Sequence, residues 1–454
     1  MGRTGASTSH HVLVIPFPVQ GHVNPLMLFS HKLALQGFKV SFLNTDFNHK
    51  RVLSAMALCD DGKSPVGSKN ISLVSIPDGL SPDDDRTDMA LLCEAILDNM
   101  PAKLEELLTN FNALSDGDDD KKITCVIADG NMGWAMEVAT KMGIRGAIFW
   151  PAAAATFVME LNIQRMINEG LIDSSGFQTN KKQKLHLSQG LPAMDASNFP
   201  WSCTGDSTSQ KTIFHYVERF VEASKLTDWW LFNTAYDVEP AAISLYPRIL
   251  PIGPLLASQS LGELGAQFWR EDHSCLNWLD KQKPSSVIYV SFGSLTVHDE
   301  TQINALALGL ELTGRPFLWV VRPGMIKSRN DSNPNGFLKS RGKIVSWVPQ
   351  QKVLSHPAIA CFVSHCGWNS TLEGLSNGLP FLCWPYFVDQ FFNMSYICDI
   401  WKVGLGFERN EKGIISGEEV KKKVEQVLGD ESIRARSLQL KELAMKNIAK
   451  DGQS

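Results

Sequence analysis

The stretch ACFVSHCGWNSTLEGLSNGLPFLCWP, residues 360–385, decides the fold. Its two ends are short, continuously apolar runs, as expected of parallel strands covered on both faces. Between them Gly367 makes a turn and a helix begins near Ser370. His365, Trp368, Asn369, Ser370 and Glu373 crowd into this turn and helix start. Ser370 and Glu373 fit a capping box, with the serine accepting from an early backbone N–H and the glutamate reaching back. That reading leaves His365, Trp368 and Asn369 without a task. A ligand reading accounts for all five. A helix N-terminus offers N–H groups and the positive end of its dipole, so a phosphate fits at Asn369 and Ser370, with His365 as a further donor. Glu373 suits two vicinal hydroxyls, as an acidic residue does with ribose in dinucleotide folds, and Trp368 suits the flat side of a sugar.

The same pattern repeats outward in both directions. SVIYVSFGS (286–294), PFLWVV (316–321) and KIVSWVP (343–349) read as further strands, with helical segments near 299–313, 350–356, 370–377 and 390–402. Earlier in the chain, HVLVIPF (11–17), KVSFLNT (39–45), ISLVSIP (71–77), TCVIAD (124–129), GAIFWP (146–151) and WWLFNT (229–234) form a second such series. Alternating strands and helices of this kind predict doubly wound α/β domains. A chain of 454 residues exceeds one hydrophobic core. The expected fold class is therefore α/β, with two doubly wound, Rossmann-like domains facing a central cleft. Residues 1–249 form the first domain and 266–435 the second. The Pro- and Gly-broken stretch 250–265 is the linker, and 436–454 is a C-terminal helical segment.

Composition narrows the function. Hydrophobic residues make up 44% and charged residues 20%, as in folded globular chains. The net charge is −5 and no dense Lys/Arg stripe is present, which argues against a nucleic-acid partner. Acidic runs at 83–85 and 118–120 read as solvated loops, with no ligand set for a metal. The nine cysteines are scattered, odd in number and without C-x-x-C spacing. They read as buried thiols of a reducing compartment, hence a cytoplasmic location. The first apolar run, VLVIPFPV, is too short and too broken by proline for a signal peptide or an integral membrane segment.

Further residues suit a nucleoside diphosphate carrying a sugar. Trp347 follows a strand, and its indole could stack on a base, with Val348 and Gln350 next to it. Asp389 and Gln390 open the next helix and suit sugar hydroxyls, or else a second helix cap. In IPFPVQGHVNP, Gly21 and His22 leave the first strand, and Asn24-Pro25 reads as the Ncap and N1 of the helix that follows. A histidine at such a turn is most simply structural, yet its place at a carboxyl strand end points to a site. Asp129 ends the strand TCVIAD, as a helix cap or as a partner for a base. Dinucleotide, P-loop and nucleophile-elbow glycine patterns are absent.

From Trp347 to Gln390 the chain resembles, without a gap, the 44-residue signature of plant secondary-metabolism UDP-glycosyltransferases. The likeness extends from about residue 10 onward. It implies a GT-B fold, an inverting mechanism, UDP-glucose as co-substrate, and neither metal nor other cofactor. It further implies donor binding by Ser294, Trp347, Val348, Gln350, His365, Gly367, Trp368, Asn369, Ser370, Glu373, Asp389 and Gln390. By the same resemblance His22 matches the catalytic base and Asp129 its partner, with Gly21, His22 and Val388 beside the acceptor. The terminal Gln390 goes with glucose in that family. The family's last helix packs back on the N-terminal domain, and this chain stops at KNIAKDGQS, where the last part of that helix is expected. The expected partners are a UDP-sugar and a small hydroxylated acceptor, an apolar terpenoid or phenolic, taken by a monomer. A nucleotide-sugar binding protein without catalysis is the competing class, and the presence of both His22 and Asp129 argues against it.

Overall fold

The apolar runs of the N-terminal half pair in one sheet of seven parallel strands. Its order is Ile71–Ile76, Lys39–Thr45, His11–Ile15, Ile123–Asp129, Arg145–Trp150, Trp229–Phe232 and Ile249–Pro251. The computed structural model describes residues 10–57, 69–113, 122–179, 184–256, 268–327 and 341–448. A second, six-stranded parallel sheet runs Gly342–Val345, Phe317–Val320, Val287–Ser291, Ile359–Ser364, Phe381–Cys383 and Gly404–Gly406. Every residue of Val287–Ser291 and Ile359–Ser364 is buried, as two-sided cover demands.

Helices cover these strands. Over the second sheet, Ile303, Leu306 and Leu310 from Glu300–Leu312 and Val420 and Val424 from Gly417–Gly429 meet Phe317, Trp319, Val363 and Leu382 in one core. Each fully buried Val, Leu or Phe there contributes roughly 1.5–3 kcal/mol.

In both sheets the strand order reverses beside the first strand. The reversal falls between His11–Ile15 and Ile123–Asp129 in one, and between Val287–Ser291 and Ile359–Ser364 in the other. Connections leave such a point in opposite directions, which opens a crevice at the carboxyl ends of the two strands where ligands bind. His22, Asp129, Ser294 and His365 lie at the ends of these four strands, while Trp347 and Gln350 follow Gly342–Val345 and Asp389 and Gln390 follow Phe381–Cys383.

The described chain divides into two compact units. The first comprises Met1–Thr179, Thr204–Asn233 and Leu245–Phe268, the second Asn180–Cys203, Thr234–Ser244 and Trp269–Ser454. Two short pieces of the N-terminal half thus belong with the C-terminal sheet. The stretch read as linker starts inside the first sheet, because Leu250 and Pro251 pair with Leu231 and Phe232. Proline is tolerated there because the strand is at the sheet edge. Residues 257–265 lie outside the described residues. The helix Glu431–Asn447 packs on Trp368–Ser376, and Asn447 Nδ2 donates to Asp237 Oδ2 at 2.8 Å, all within the second unit. The helix read over 390–402 is an α-helix only from Gln390 to Ser395 and continues as a π-turn, Tyr396–Ile400, with Tyr396 stacked on Trp401 at 5.0 Å. Among the described residues, no helix is long and apolar enough to cross a membrane.

Candidate functional site

In the first unit the helix begins at Gln20, with Val19 at its N-cap, and not at Pro25 as its sequence suggests. Asn24 does not cap it. Its side-chain oxygen accepts from Gln20 Nε2 at 2.7 Å, and Pro25 lies in the second turn, where it withholds one i→i−4 bond. Gly21 and His22 therefore sit in the first helical turn, both half-buried. His22 Nδ1 meets Asp129 Oδ2 at 2.8 Å. The histidine side chain is 24% exposed and the aspartate is wholly buried.

The other oxygen of Asp129, Oδ1, accepts from the Asn131 backbone N–H at 2.9 Å and caps the short turn Gly130–Met132. One carboxylate thus serves as cap and as histidine partner. The turn lies against Trp150, and a Cβ at position 130 would stand 2.5 Å from its ring, so only glycine fits. The contact of Nδ1 with the carboxylate sets which way the imidazole ring faces.

In the second unit the loop Phe292–Ser294 follows Val287–Ser291, and His365–Gly367 follows the neighbouring strand Ile359–Ser364. The His365 ring is sandwiched between them. A Cβ on Gly293, at φ +70°, or on Gly367 would each lie 2.5 Å from His365 Nε2. Burial lowers the His365 pKa to about 4, so at neutral pH the ring is uncharged and offers a single N–H donor. Ser294 lies in the same turn, half-buried.

The helix Trp368–Ser376 starts two residues earlier than its sequence suggests, with Gly367 at the N-cap and no side-chain cap. The capping box is therefore not formed, since Ser370 and Glu373 already lie inside the helix. Both are engaged from the helix Gln350–Leu354 instead. Gln350 Nε2 donates to Ser370 Oγ at 2.8 Å and to Glu373 Oε2 at 2.7 Å, and Gln351 Nε2 donates to Glu373 Oε1 at 3.0 Å. The buried Tyr289 hydroxyl donates to Gln350 Oε1 at 2.9 Å and so fixes which way that amide faces. Burial pushes the Glu373 carboxyl up from its usual range, and the two amide donors pull it back.

Trp347 is half-buried, its ring 4.8 Å from that of Trp269, and Val348 beside it is buried. Trp368 is 3% exposed, and its ring lies 6.2 Å from that of Trp401, tilted against it. It is the first residue of the helix, followed by Asn369. Asp389 precedes Gln390–Ser395 without capping it. Its carboxylate accepts from Asn393 Nδ2 at 2.7 Å, and the same amide donates to the Cys366 carbonyl at 2.9 Å, which ties Asp389 to the His365 turn. Gln390 Oε1 accepts from the backbone N–H groups of Tyr386 and Phe387 at 2.8 and 3.3 Å. Val388, between these loops, holds φ at 48°, which is strained for a β-branched residue.

All the residues expected to bind the donor thus belong to the second unit, while Gly21, His22 and Asp129 belong to the first. Sequence reading passed over Tyr289, Gly293, Gln351 and Asn393. Of these only Gly293, in a Gly turn off a strand end, carried a local signal. Among the described residues no group of His, Cys, Asp or Glu could hold a metal.

The chain is similar to several known proteins. Residues 209–448 match the family described as UDP-glucoronosyl and UDP-glucosyl transferase. The chain is 48% identical to UDP-glycosyltransferase 83A1 of Arabidopsis thaliana, covering 97% of this chain and 94% of that protein. It is 34% identical to 7-deoxyloganetin glucosyltransferase of Gardenia jasminoides, over 91% and 88% of the two. The crystal structure of Os79 from O. sativa in complex with UDP superposes with a TM-score of 0.79 at 26% identity, covering 97% of each chain. On the family match, the near-complete relatives and the shared two-sheet fold, the chain belongs to the UDP-glycosyltransferase family that these plant enzymes represent and is a UDP-sugar-dependent glycosyltransferase.

Proposed function

We propose that the enzyme transfers glucose from UDP-glucose, with inversion, to a hydroxyl of a small apolar plant metabolite of the terpenoid or phenolic class. The observation that carries the catalytic reading is the 2.8 Å contact of His22 Nδ1 with the buried Asp129. His22 Nε2 takes the proton of the acceptor hydroxyl. The acceptor oxygen attacks the anomeric carbon, the bond from that carbon to the β-phosphate oxygen breaks, and UDP leaves. A protein that only bound nucleotide sugars would have no use for this pair.

On the donor side, Trp347 stacks on uracil, with Val348 and Gln350 at the uridine edge. Ser294, neutral His365 and the turn Gly367–Ser370 hold the diphosphate. Glu373 takes the ribose hydroxyls, and Asp389 and Gln390 read the sugar. The oxygen of Gln390 is committed to two backbone N–H groups, so its nitrogen faces the sugar as a donor. Gly21 and Val388 line the acceptor. The relative named for 7-deoxyloganetin supports an apolar acceptor. No metal or further cofactor takes part, and the enzyme acts as a monomer in the cytoplasm. A panel of hydroxylated terpenoids and phenolics offered with UDP-glucose, read by mass spectrometry, tests the acceptor class. Glucosides formed only from polar acceptors would overturn it.

Glu373→Ala is expected to weaken UDP binding roughly ten- to hundredfold, the value of hydrogen bonds to a charged group of about 1.5–3 kcal/mol. It should leave affinity for 2′,3′-dideoxy-UDP unchanged, because that analogue lacks the partners. Calorimetric titration with both ligands decides, and equal weakening of the two would remove Glu373 from the ribose.

With equal concentrations of three donors, UDP-glucose should outcompete UDP-galactose and UDP-glucuronic acid. Asp389 repels the second carboxylate, and residues 347–390 contain no Arg to offset it. A 4-epimer strands a buried polar group at ~1 to 3 kcal/mol, roughly 5- to 150-fold. Equal use of either competitor would show that Asp389 and Gln390 do not set the choice.

A further inference from the structure

The carboxylate that faces His22 is held from behind by a helix far away in sequence. Ser207–Ser224 packs on the turn that follows Asp129, so closely that a Cβ on Gly133 would meet Phe220 at 3.2 Å. Phe220 in turn stacks on Trp150, the ring on which Gly130 lies, at 5.5 Å. From the same helix the buried Tyr216 hydroxyl donates to the Asn131 carbonyl. The N–H of Asn131 donates to Asp129 Oδ1 at 2.9 Å, and Asp129 Oδ2 meets His22 at 2.8 Å. An unbroken line of hydrogen bonds therefore runs from Tyr216 through one backbone residue to the base.

We infer that Tyr216 is a positioning residue for the His22–Asp129 pair, fixing the turn from which Asp129 points. The inference rests on the reading of His22 as the base. The mechanism is geometric. Asp129 Oδ1 is oriented by the Asn131 N–H, so a shift of that peptide rotates the carboxylate and moves Oδ2 off the imidazole. Tyr216 pins the next peptide group, at the Asn131 carbonyl, and so holds the Asn131 backbone from the other side of its Cα, while Gly130 and Gly133 supply the close packing but no anchor of their own. Burial raises the Tyr216 hydroxyl well above its ordinary pKa, so it remains protonated and a donor throughout the working range. The line is polar only where Asp129 needs it. Trp150 and Phe220 close on Gly130 and Gly133 of the turn, and Phe157 packs on both rings.

Tyr216→Phe tests this, because it removes one oxygen and keeps the ring. The expected result is a three- to tenfold fall in kcat, the effect of one lost hydrogen bond, with KM for UDP-glucose and UDP affinity unchanged and the melting temperature lowered by at most about a few degrees. In an Asp129→Asn background the same substitution should cost nothing more, since the tyrosine acts through that carboxylate. Unchanged kcat in Tyr216→Phe, an equal further loss in the Asp129→Asn background, or a fall in melting temperature together with UDP affinity would each overturn the role. If Asp129→Asn alone keeps wild-type kcat, the base reading fails first and the Tyr216 role with it.

Discussion

His22→Ala is expected to lower kcat by ~10² to 10⁴, the usual contribution of a positioned general base, while UDP-glucose binding stays near its wild-type strength. The two effects separate because His22 and the residues proposed to bind the donor belong to different units of the chain. The histidine is 24% exposed in the first turn of its helix, so its removal leaves no large buried cavity and the fold should be kept. Saturating acceptor and donor in a steady-state assay, with UDP titration alongside, measures both quantities. Near wild-type turnover would take the base role from His22.

Asp129→Asn is expected to lose nearly as much, ~10² to 10⁴ in kcat, although it removes only a charge. The reason lies in how the carboxylate is used. Oδ1 accepts from the Asn131 N–H and Oδ2 accepts from His22 Nδ1–H. An amide has one acceptor and one donor end. With its oxygen kept on Asn131, its NH₂ faces Nδ1, which must then accept, and the ring proton moves to Nε2. The base nitrogen is then occupied by the proton it should be taking up. The opposite rotamer sets NH₂ against the Asn131 N–H, a donor against a donor in a buried place. Acceptor KM should move less than kcat, since binding surfaces are untouched. Normal kcat in the Asp129→Asn enzyme would leave Asp129 only its part as a turn cap.

The strands were legible because two-sided burial writes itself as continuous apolar runs. Lys39–Thr45 is read to the residue, and Ile359–Ser364 to within one. Gly404–Gly406 was not, because GLG has no β-preference and is made a strand by pairing with Phe381–Cys383. Ile249–Pro251 was hidden because it is short and ends in a proline, tolerated only at an edge. Helix starts misled twice in one way. Asn24-Pro25 and Ser370-x-x-Glu373 are good local start signals, yet both helices begin earlier, at strand-end turns whose geometry the sheet imposes. Candidate residues in contiguous signatures were readable one by one. What joined them was not, since Tyr289, Gln351, Asn393 and Tyr216 act through hydrogen bonds to distant segments and no spacing announces them.

The most direct measurement of the central claim, that His22 removes the acceptor proton, is the ratio of wild-type to His22→Ala kcat across a series of phenols of rising acidity. A phenol already ionised at the assay pH has no proton left to remove. The ratio should therefore be large for weakly acidic phenols and fall toward one for a nitrophenol that is mostly phenolate. A ratio that stays constant along the series would contradict the account, because the histidine would then contribute something other than proton transfer.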